Sequence, residues 1–104
     1  MKIEQRHRIE NMEKYYNEMS QALQNLETAL EQWTEKMPLY NDIVKYYTGE
    51  KWREDYEASN QANFPSPEEL PHGVLAEDTI FTEMIKHREL AIQLLKTATK
   101  MLET

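Results

Sequence analysis

Apolar side chains recur every three or four residues along the first third of the chain. The spacing from Ile9 to Met37 is 3, 4, 3, 4 and repeats without a break. The members of this apolar seam are Ile9, Met12, Tyr16, Met19, Leu23, Leu26, Leu30, Trp33 and Met37. Such spacing returns side chains to one side of a slightly supercoiled helix. No Gly or Pro interrupts residues 3–36, so the pattern predicts one long helix there, with its seam packed inward.

A segment rich in aromatic residues follows the seam. Pro38 should end the first helix, because its ring disfavours helical geometry at the preceding residue. Residues 38–62 then predict a second helix, kinked or broken near Gly49, which is expected at a helix C-terminus or a kink. The rings here are Tyr40, Tyr46, Tyr47, Trp52 and Tyr56. Their helical spacing favours packing in the core, and the alternative is that they line a ligand pocket or a partner groove.

The last third of the chain predicts a stiff loop and a third helix. Residues 63–73 contain three prolines, which restrict the loop. The helix is expected over 76–103, with Glu77 and Asp78 as acids in its first turn. Its apolar face consists of Ile80, Met84, His87, Ala91, Leu94, Ala98 and Met101. The two alanines leave room for the first helix, so we predict an all-α fold, a bundle of three main helices forming a single domain over residues 1–104.

Composition and charge narrow the possible partners. The chain has 104 residues, a net charge of −7 and no cysteine. Because the acidic residues are spread evenly and no basic face forms, nucleic acid and anionic membranes are not expected as partners. No apolar run is long enough for a signal sequence or a bilayer span. The expected location is the cytoplasm.

Three sequence motifs carry a resemblance to a known family. They are R-I-x-x-M-E-x-x-Y from Arg8, Y-Y followed by W-x-x-D-Y-E from Tyr46, and L-P-x-G-V-L-x-E-D-x-I from Leu70. From Arg8 to about Leu95 the chain resembles a family of short bacterial proteins known only as a domain of unknown function. The resemblance implies a bacterial, cytoplasmic, all-helical protein, and it implies no activity and no functional residues. One departure is Ala76, where a small hydroxyl residue is expected to cap the last helix.

Few residues suggest chemistry. Glu83 and His87 are four positions apart on the last helix, a spacing that permits a metal or acid–base role. The favoured interpretation is a structural His87 that is hydrogen-bonded to Glu83 or to a tyrosine. Glu4 and His7 have the spacing of di-iron bundles, but they lie off the seam on the outer face. Asp55 is expected to accept a hydrogen bond from a Tyr, a Trp or a helix N-terminus and so to fix the middle segment.

The sequence therefore predicts no enzyme, no cofactor and no metal site, because no convergent acid, base and nucleophile can be assembled. We expect a non-enzymatic protein–protein interaction module, with an unknown protein partner or self-association. The alternative is a bundle that binds a small molecule or a metal in the aromatic and His87 region. The candidate surface residues are Ile3, Ile9, Tyr46, Tyr47, Trp52, Tyr56, Glu83 and His87.

Overall fold

Three α-helices make up most of the protein. The computed structural model describes residues 1–104. Helix α1 spans Ile3–Tyr47, α2 spans Glu50–Ser59 and α3 spans Thr79–Leu102, with a short 3-10 helix at Gly73–Leu75 and no strand. The predicted all-α class with three main helices is confirmed. None of these helices combines the length and the apolar character that crossing a bilayer requires.

Helix α1 does not end at Pro38, so that prediction is wrong. The helix runs through Pro38 to Tyr47 and contains 45 residues. Pro38 lacks an N–H, so the carbonyl of Thr34 loses its usual partner four residues on. A single missing bond does not end the helix, because the hydrogen bonds of the turns before and after it persist.

The predicted break near Gly49 is confirmed, although Gly49 has another role. The N–H of Thr48 donates to the carbonyl of Val44 (3.0 Å) and that of Gly49 donates to Tyr46 (3.1 Å), which closes the last turn of α1. Gly49 itself is extended, with φ −100° and ψ 179°, and it precedes α2 as its N-cap residue. A Cβ at this position would lie 3.2 Å from the carbonyl oxygen of Lys45. The tight approach of two backbone segments, rather than a left-handed conformation, favours glycine here.

Helix α3 begins at Thr79, three residues later than predicted. Glu77 and Asp78 are therefore not acids of its first turn. Asp78 holds the N-cap position, where its carbonyl accepts the N–H of Thr82 at 2.9 Å and its side chain caps nothing. The N–H of Ala76 donates a hydrogen bond to the carbonyl of Gly73 (3.2 Å) and closes the 3-10 helix. No hydroxyl side chain is therefore needed at position 76. Glu77 instead accepts hydrogen bonds from two tyrosines, described below.

The chain divides into two compact units, Met1–Pro38 and Leu39–Thr104. In the first unit the apolar seam is exposed: Leu23 is 50% exposed, Leu26 36% and Leu30 44%. The prediction that the seam packs inward is therefore wrong for the single chain. A lone helix cannot bury its own side chains, whatever their spacing, because burial needs atoms of another element. The single-domain organisation stays a prediction.

The second unit, Leu39–Thr104, has a small core. Leu75 and Ile80 are buried, with 7% and 3% of their surface exposed. Met84 and His87, on the same face of α3 as Ile80, are half-buried. From Ala91 onward the face is exposed, and this includes the alanines that were expected to receive the first helix. The inward face of α3 is thus confined to its first half.

Candidate functional site

Four aromatic residues lie at the end of α1 and in α2, and three of their rings are in contact. This aromatic cluster consists of Tyr46, Tyr47, Trp52 and Tyr56, all of them half-buried. Trp52 lies edge-on to Tyr47 with ring centroids 5.0 Å apart, and it stacks on Tyr56 at 5.2 Å. Trp52 and Tyr56 are four residues apart on α2, which places their rings on one side of the helix. The stacking of Trp52 on Tyr56 therefore follows from the helical spacing, whereas the contact of Tyr47 with Trp52 crosses the break between α1 and α2.

The polar ends of these rings hold the segment between α2 and α3. Trp52 Nε1–H donates to the carbonyl of Val74 at 2.8 Å. The Tyr47 hydroxyl donates to the backbone carbonyl of Glu77 (3.2 Å), and the Tyr56 hydroxyl donates to Glu77 Oε1 (2.6 Å). The hydrogen bond to Glu77 raises the pKa of Tyr56, since a nearby carboxylate disfavours the phenolate. Three of the predicted surface residues thus tie residues 74–77 in place.

The fourth ring carries the predicted hydrogen bond to Asp55. The Tyr46 hydroxyl donates to Asp55 Oδ2 at 2.6 Å, which confirms that Asp55 accepts from a tyrosine and fixes the middle segment. Burial, followed by the hydrogen bond and the charge of Asp55, raises the pKa of Tyr46 to about 12. The Tyr46 phenol therefore stays protonated at neutral pH, as a hydrogen-bond donor must.

His87 has an aromatic neighbour that the sequence did not predict. Its ring stacks on Tyr40, with centroids 4.0 Å apart and planes at 13°. Glu83, its expected partner, is exposed. Because Tyr40 and His87 belong to helices far apart in sequence, no local spacing indicates this pair. No group of three or more His, Asp or Glu side chains is placed to hold a metal ion.

A cavity of about 320 Å³ lies beside the aromatic cluster in the second unit. Its lining includes Tyr46, Asp55, Phe64, His72, Val74 and Leu75. The His72 ring meets the Phe64 ring edge-on at 5.0 Å, and this loop histidine is half-buried. The volume is at the lower end of the range of small-molecule sites.

The first unit presents a different surface. Side chains of the apolar seam are between 36% and 60% exposed along its whole length. Of the other predicted surface residues, Ile3 is 70% exposed near the start of α1. The seam residue Ile9, also predicted, is 52% exposed. Polar residues occupy the rest of the helix surface. Among them are Arg6 and Glu10, which form an ion pair between Nε and Oε1 at 2.9 Å. The result is one apolar face on an otherwise polar helix.

These features define a small all-α protein. Hydrogen bonds from aromatic side chains hold its second unit together, and its long first helix exposes an apolar face. The family model DUF4298, described as a domain of unknown function, matches residues 9–97, and the chain belongs to this family. The match confirms the resemblance carried by the three motifs. No curated protein matches the chain, and neither does a solved structure.

Proposed function

We propose that the protein is a non-enzymatic protein–protein interaction module whose contact surface is the apolar seam of α1. One observation carries this proposal: the seam repeats over four heptads and its members are 36–60% exposed. Monomeric proteins rarely expose continuous apolar surface above a few hundred Å², and larger patches are typical of binding surfaces. A helix with one apolar face is also a common recognition element, which lies in a groove or against another helix.

The contacts of the carboxylates in the second unit support the non-enzymatic part of the proposal. Asp55 and Glu77 each accept a short hydrogen bond from a tyrosine of the aromatic cluster. Each carboxylate therefore has a hydrogen-bond partner within the fold, which favours a structural role over a catalytic one. In keeping with the resemblance to short bacterial proteins, we place this activity in the bacterial cytoplasm.

The test is a pair of charge substitutions on opposite sides of α1. Leu23→Glu places a carboxylate in the middle of the seam, and Gln21→Glu places the same group two residues away on the polar side. Leu23 is half exposed and belongs to the first unit, so the change leaves the core of the second unit untouched. Circular dichroism should show that both variants keep the helical content of the wild type at high protein concentration.

The readouts are the mass of the purified protein in solution and the proteins that it captures from its host. We expect Leu23→Glu to abolish association with itself or with a captured protein, and Gln21→Glu to retain it. Identical behaviour of the two variants and the wild type in both measurements would refute the proposed surface.

A second candidate function is small-molecule binding in the cavity beside the aromatic cluster. The observation in its favour is a space of about 320 Å³ lined by rings and one carboxylate, Asp55. Of the residues expected to form such a site, Tyr46 lines the cavity, whereas Tyr47, Glu83 and His87 do not. A ligand at 100 times its Kd should raise the free energy of unfolding by about 2.7 kcal/mol.

Thermal melting of the protein with a panel of metabolites would detect such a ligand. Ala58 also lines the cavity, and Ala58→Leu would occupy part of the space, so a genuine shift should disappear in that variant. Equal shifts in the wild type and in Ala58→Leu would show that the ligand binds elsewhere.

A further inference from the structure

We propose that the partner of the apolar seam is a second copy of this chain, and that two α1 helices associate in parallel and in register. This inference rests on the proposed function and names the occupant of the same surface. It follows from the heptad pattern, from the exposed area and from the charges that flank the seam.

The heptad positions of the seam fit a helix pair. With Ile9 at position a, the a residues through Leu30 are Ile9, Tyr16, Leu23 and Leu30, and the d residues are Met12, Met19 and Leu26. All seven lie in Met1–Pro38 and are 36–60% exposed. In a parallel pair in register, each a or d side chain packs beside its own counterpart, and successive layers form a continuous core.

The exposed area is sufficient for a dimer. If each of these seven side chains leaves roughly 80 Å² open to solvent, one copy offers about 560 Å² and the pair buries about 1,100 Å². Specific interfaces begin at about 1,000 Å². The exposed ring of Tyr15 and the alanines Ala22 and Ala29, which occupy the neighbouring g positions, would add to this area.

The flanking charges select the parallel orientation. In a parallel pair a residue at position g lies near the e residue five positions further along the other helix. Arg8 is at g and Glu13 is at e, so Arg8 of each copy would meet Glu13 of the other. Neither residue forms an ion pair within the chain. The two-fold symmetry of the dimer makes this favourable contact twice.

Antiparallel pairing over the whole seam is disfavoured. In that arrangement g residues meet g residues and e residues meet e residues across the interface. Arg8 would then lie near Lys36 of the second copy, and Glu13 near Glu27 of the second copy, each twice. An antiparallel register shifted by one heptad avoids both repulsions, but it places either Leu30 opposite Gln5 or Ile9 opposite Tyr40, whose ring already stacks on His87. Only the parallel register pairs the seam end to end with attractive flanks.

Single cysteines test the orientation, because the natural chain has none. In the parallel dimer Met12→Cys places two thiols side by side at a d position. In the full-length antiparallel dimer residue 12 would face Leu30, about 27 Å along the helix from residue 12 of the other copy. Gln21→Cys, at the outward f position, is the control. Under mild oxidation we expect Met12→Cys to form a covalent dimer of twice the 12.5 kDa chain mass, and Gln21→Cys to stay largely uncoupled.

Charge reversal tests the register without cysteines. Arg8→Glu replaces two attractive contacts with two repulsive ones and should weaken the dimer about tenfold. The double change Arg8→Glu with Glu13→Arg should restore it, and Lys14→Glu, at an f position, should leave it unchanged. Sedimentation equilibrium of the full chain measures each dissociation constant. Failure of the double variant to recover would overturn the register.

The outcomes separate this inference from the proposed function. A wild type that stays monomeric at 100 µM, or that forms a trimer, overturns the two-copy inference. So does equal crosslinking of both cysteine variants. If a monomeric wild type captures another protein and Leu23→Glu alone abolishes that capture, the proposed function stands and the second copy is excluded as the partner. If no association of any kind depends on Leu23, the proposed function and the two-copy inference are both refuted.

Discussion

The hydroxyl of Tyr46 donates a hydrogen bond to Asp55 Oδ2 at 2.6 Å, across the break that separates α1 from α2. Tyr46 lies in the last turn of α1 and Asp55 lies in the middle of α2. Gly49 allows the chain to change direction between them. The bond therefore fixes α2 against the end of α1 within the second unit, a role that backbone hydrogen bonds cannot fill where the helix is interrupted.

Removing either partner of this bond should destabilise the second unit. We expect Tyr46→Phe and Asp55→Asn each to lower the free energy of unfolding by about 1 kcal/mol, the usual contribution of such a bond. In a double-mutant cycle the combined loss should be smaller than the sum of the two, because both changes remove the same bond. Urea unfolding measures the losses, and Tyr15→Phe, on an exposed ring of α1, is the control. Full additivity would contradict a direct interaction.

Alkaline pH should destabilise the protein through Tyr46. Its pKa rises from 10.0 to about 12 in the folded protein, mainly through burial and then through Asp55. Below pH 10 the phenol is protonated in both states, and the full stabilisation is present. Above pH 10 the unfolded chain ionises first, so the free energy of unfolding falls as the pH rises towards about 12.

The variant Tyr46→Phe isolates this effect from the ionisation of lysines. Between pH 9 and pH 11.5 the urea midpoint of the wild type should fall more steeply than that of the variant. The absorbance of tyrosinate should also show one fewer late-titrating group in Tyr46→Phe. Parallel curves for the two proteins would mean that Tyr46 titrates normally in the folded state.

The core of the second unit should depend on Ile80. This residue is 3% exposed and is the most deeply buried side chain of the protein. Ile80→Ala should lower the free energy of unfolding by about 3 kcal/mol, through lost burial and the cavity left behind. Leu102→Ala, at an 87% exposed position of the same helix, should change it by less than about 0.5 kcal/mol. Thermal melting by circular dichroism compares the two, and similar losses would refute the assigned core.

Replacing Pro38 should strengthen α1. Pro38→Ala restores an N–H for the Thr34 carbonyl and removes the ring from the helix interior, which should stabilise the surrounding turns by roughly 1–3 kcal/mol. Hydrogen exchange of the amides from Lys36 to Asn41 measures the change as slower exchange. Lys36→Ala, which alters a neighbouring side chain but no backbone donor, should have little effect. Unchanged exchange in Pro38→Ala would show that the proline does not weaken the helix.

Local patterns predicted the helices well and their ends less well. The unbroken spacing from Ile9 predicts a helix, and Gly49 predicts the break that follows. The end at Pro38 was predicted wrongly, because a proline removes one hydrogen bond while the bonds of the adjacent turns persist. The start of α3 was predicted three residues too early, and Glu77, expected in its first turn, instead accepts hydrogen bonds from Tyr47 and Tyr56. Such bonds between distant residues leave no periodic trace in the sequence.

The contacts of the candidate site were likewise predicted only in part. The sequence indicated that Asp55 would accept a hydrogen bond from a Tyr, a Trp or a helix N-terminus, and the donor is Tyr46. It gave no indication that His87 stacks on Tyr40, or that the polar ends of Trp52, Tyr47 and Tyr56 converge on residues 74–77. These pairs join positions 21 to 47 residues apart, and only the folded chain brings them together.

The sequence by itself determined that this protein is helical and that the apolar residues of α1 share one face, because the period of an α-helix is a local property of the backbone. Only the tertiary structure decided that Leu23, Leu26 and Leu30 on that face remain 36–50% exposed while Ile80 on α3 is buried. Periodicity specifies which side chains lie together on a helix. Whether that face is covered depends on atoms from elsewhere, in the same chain or in another one.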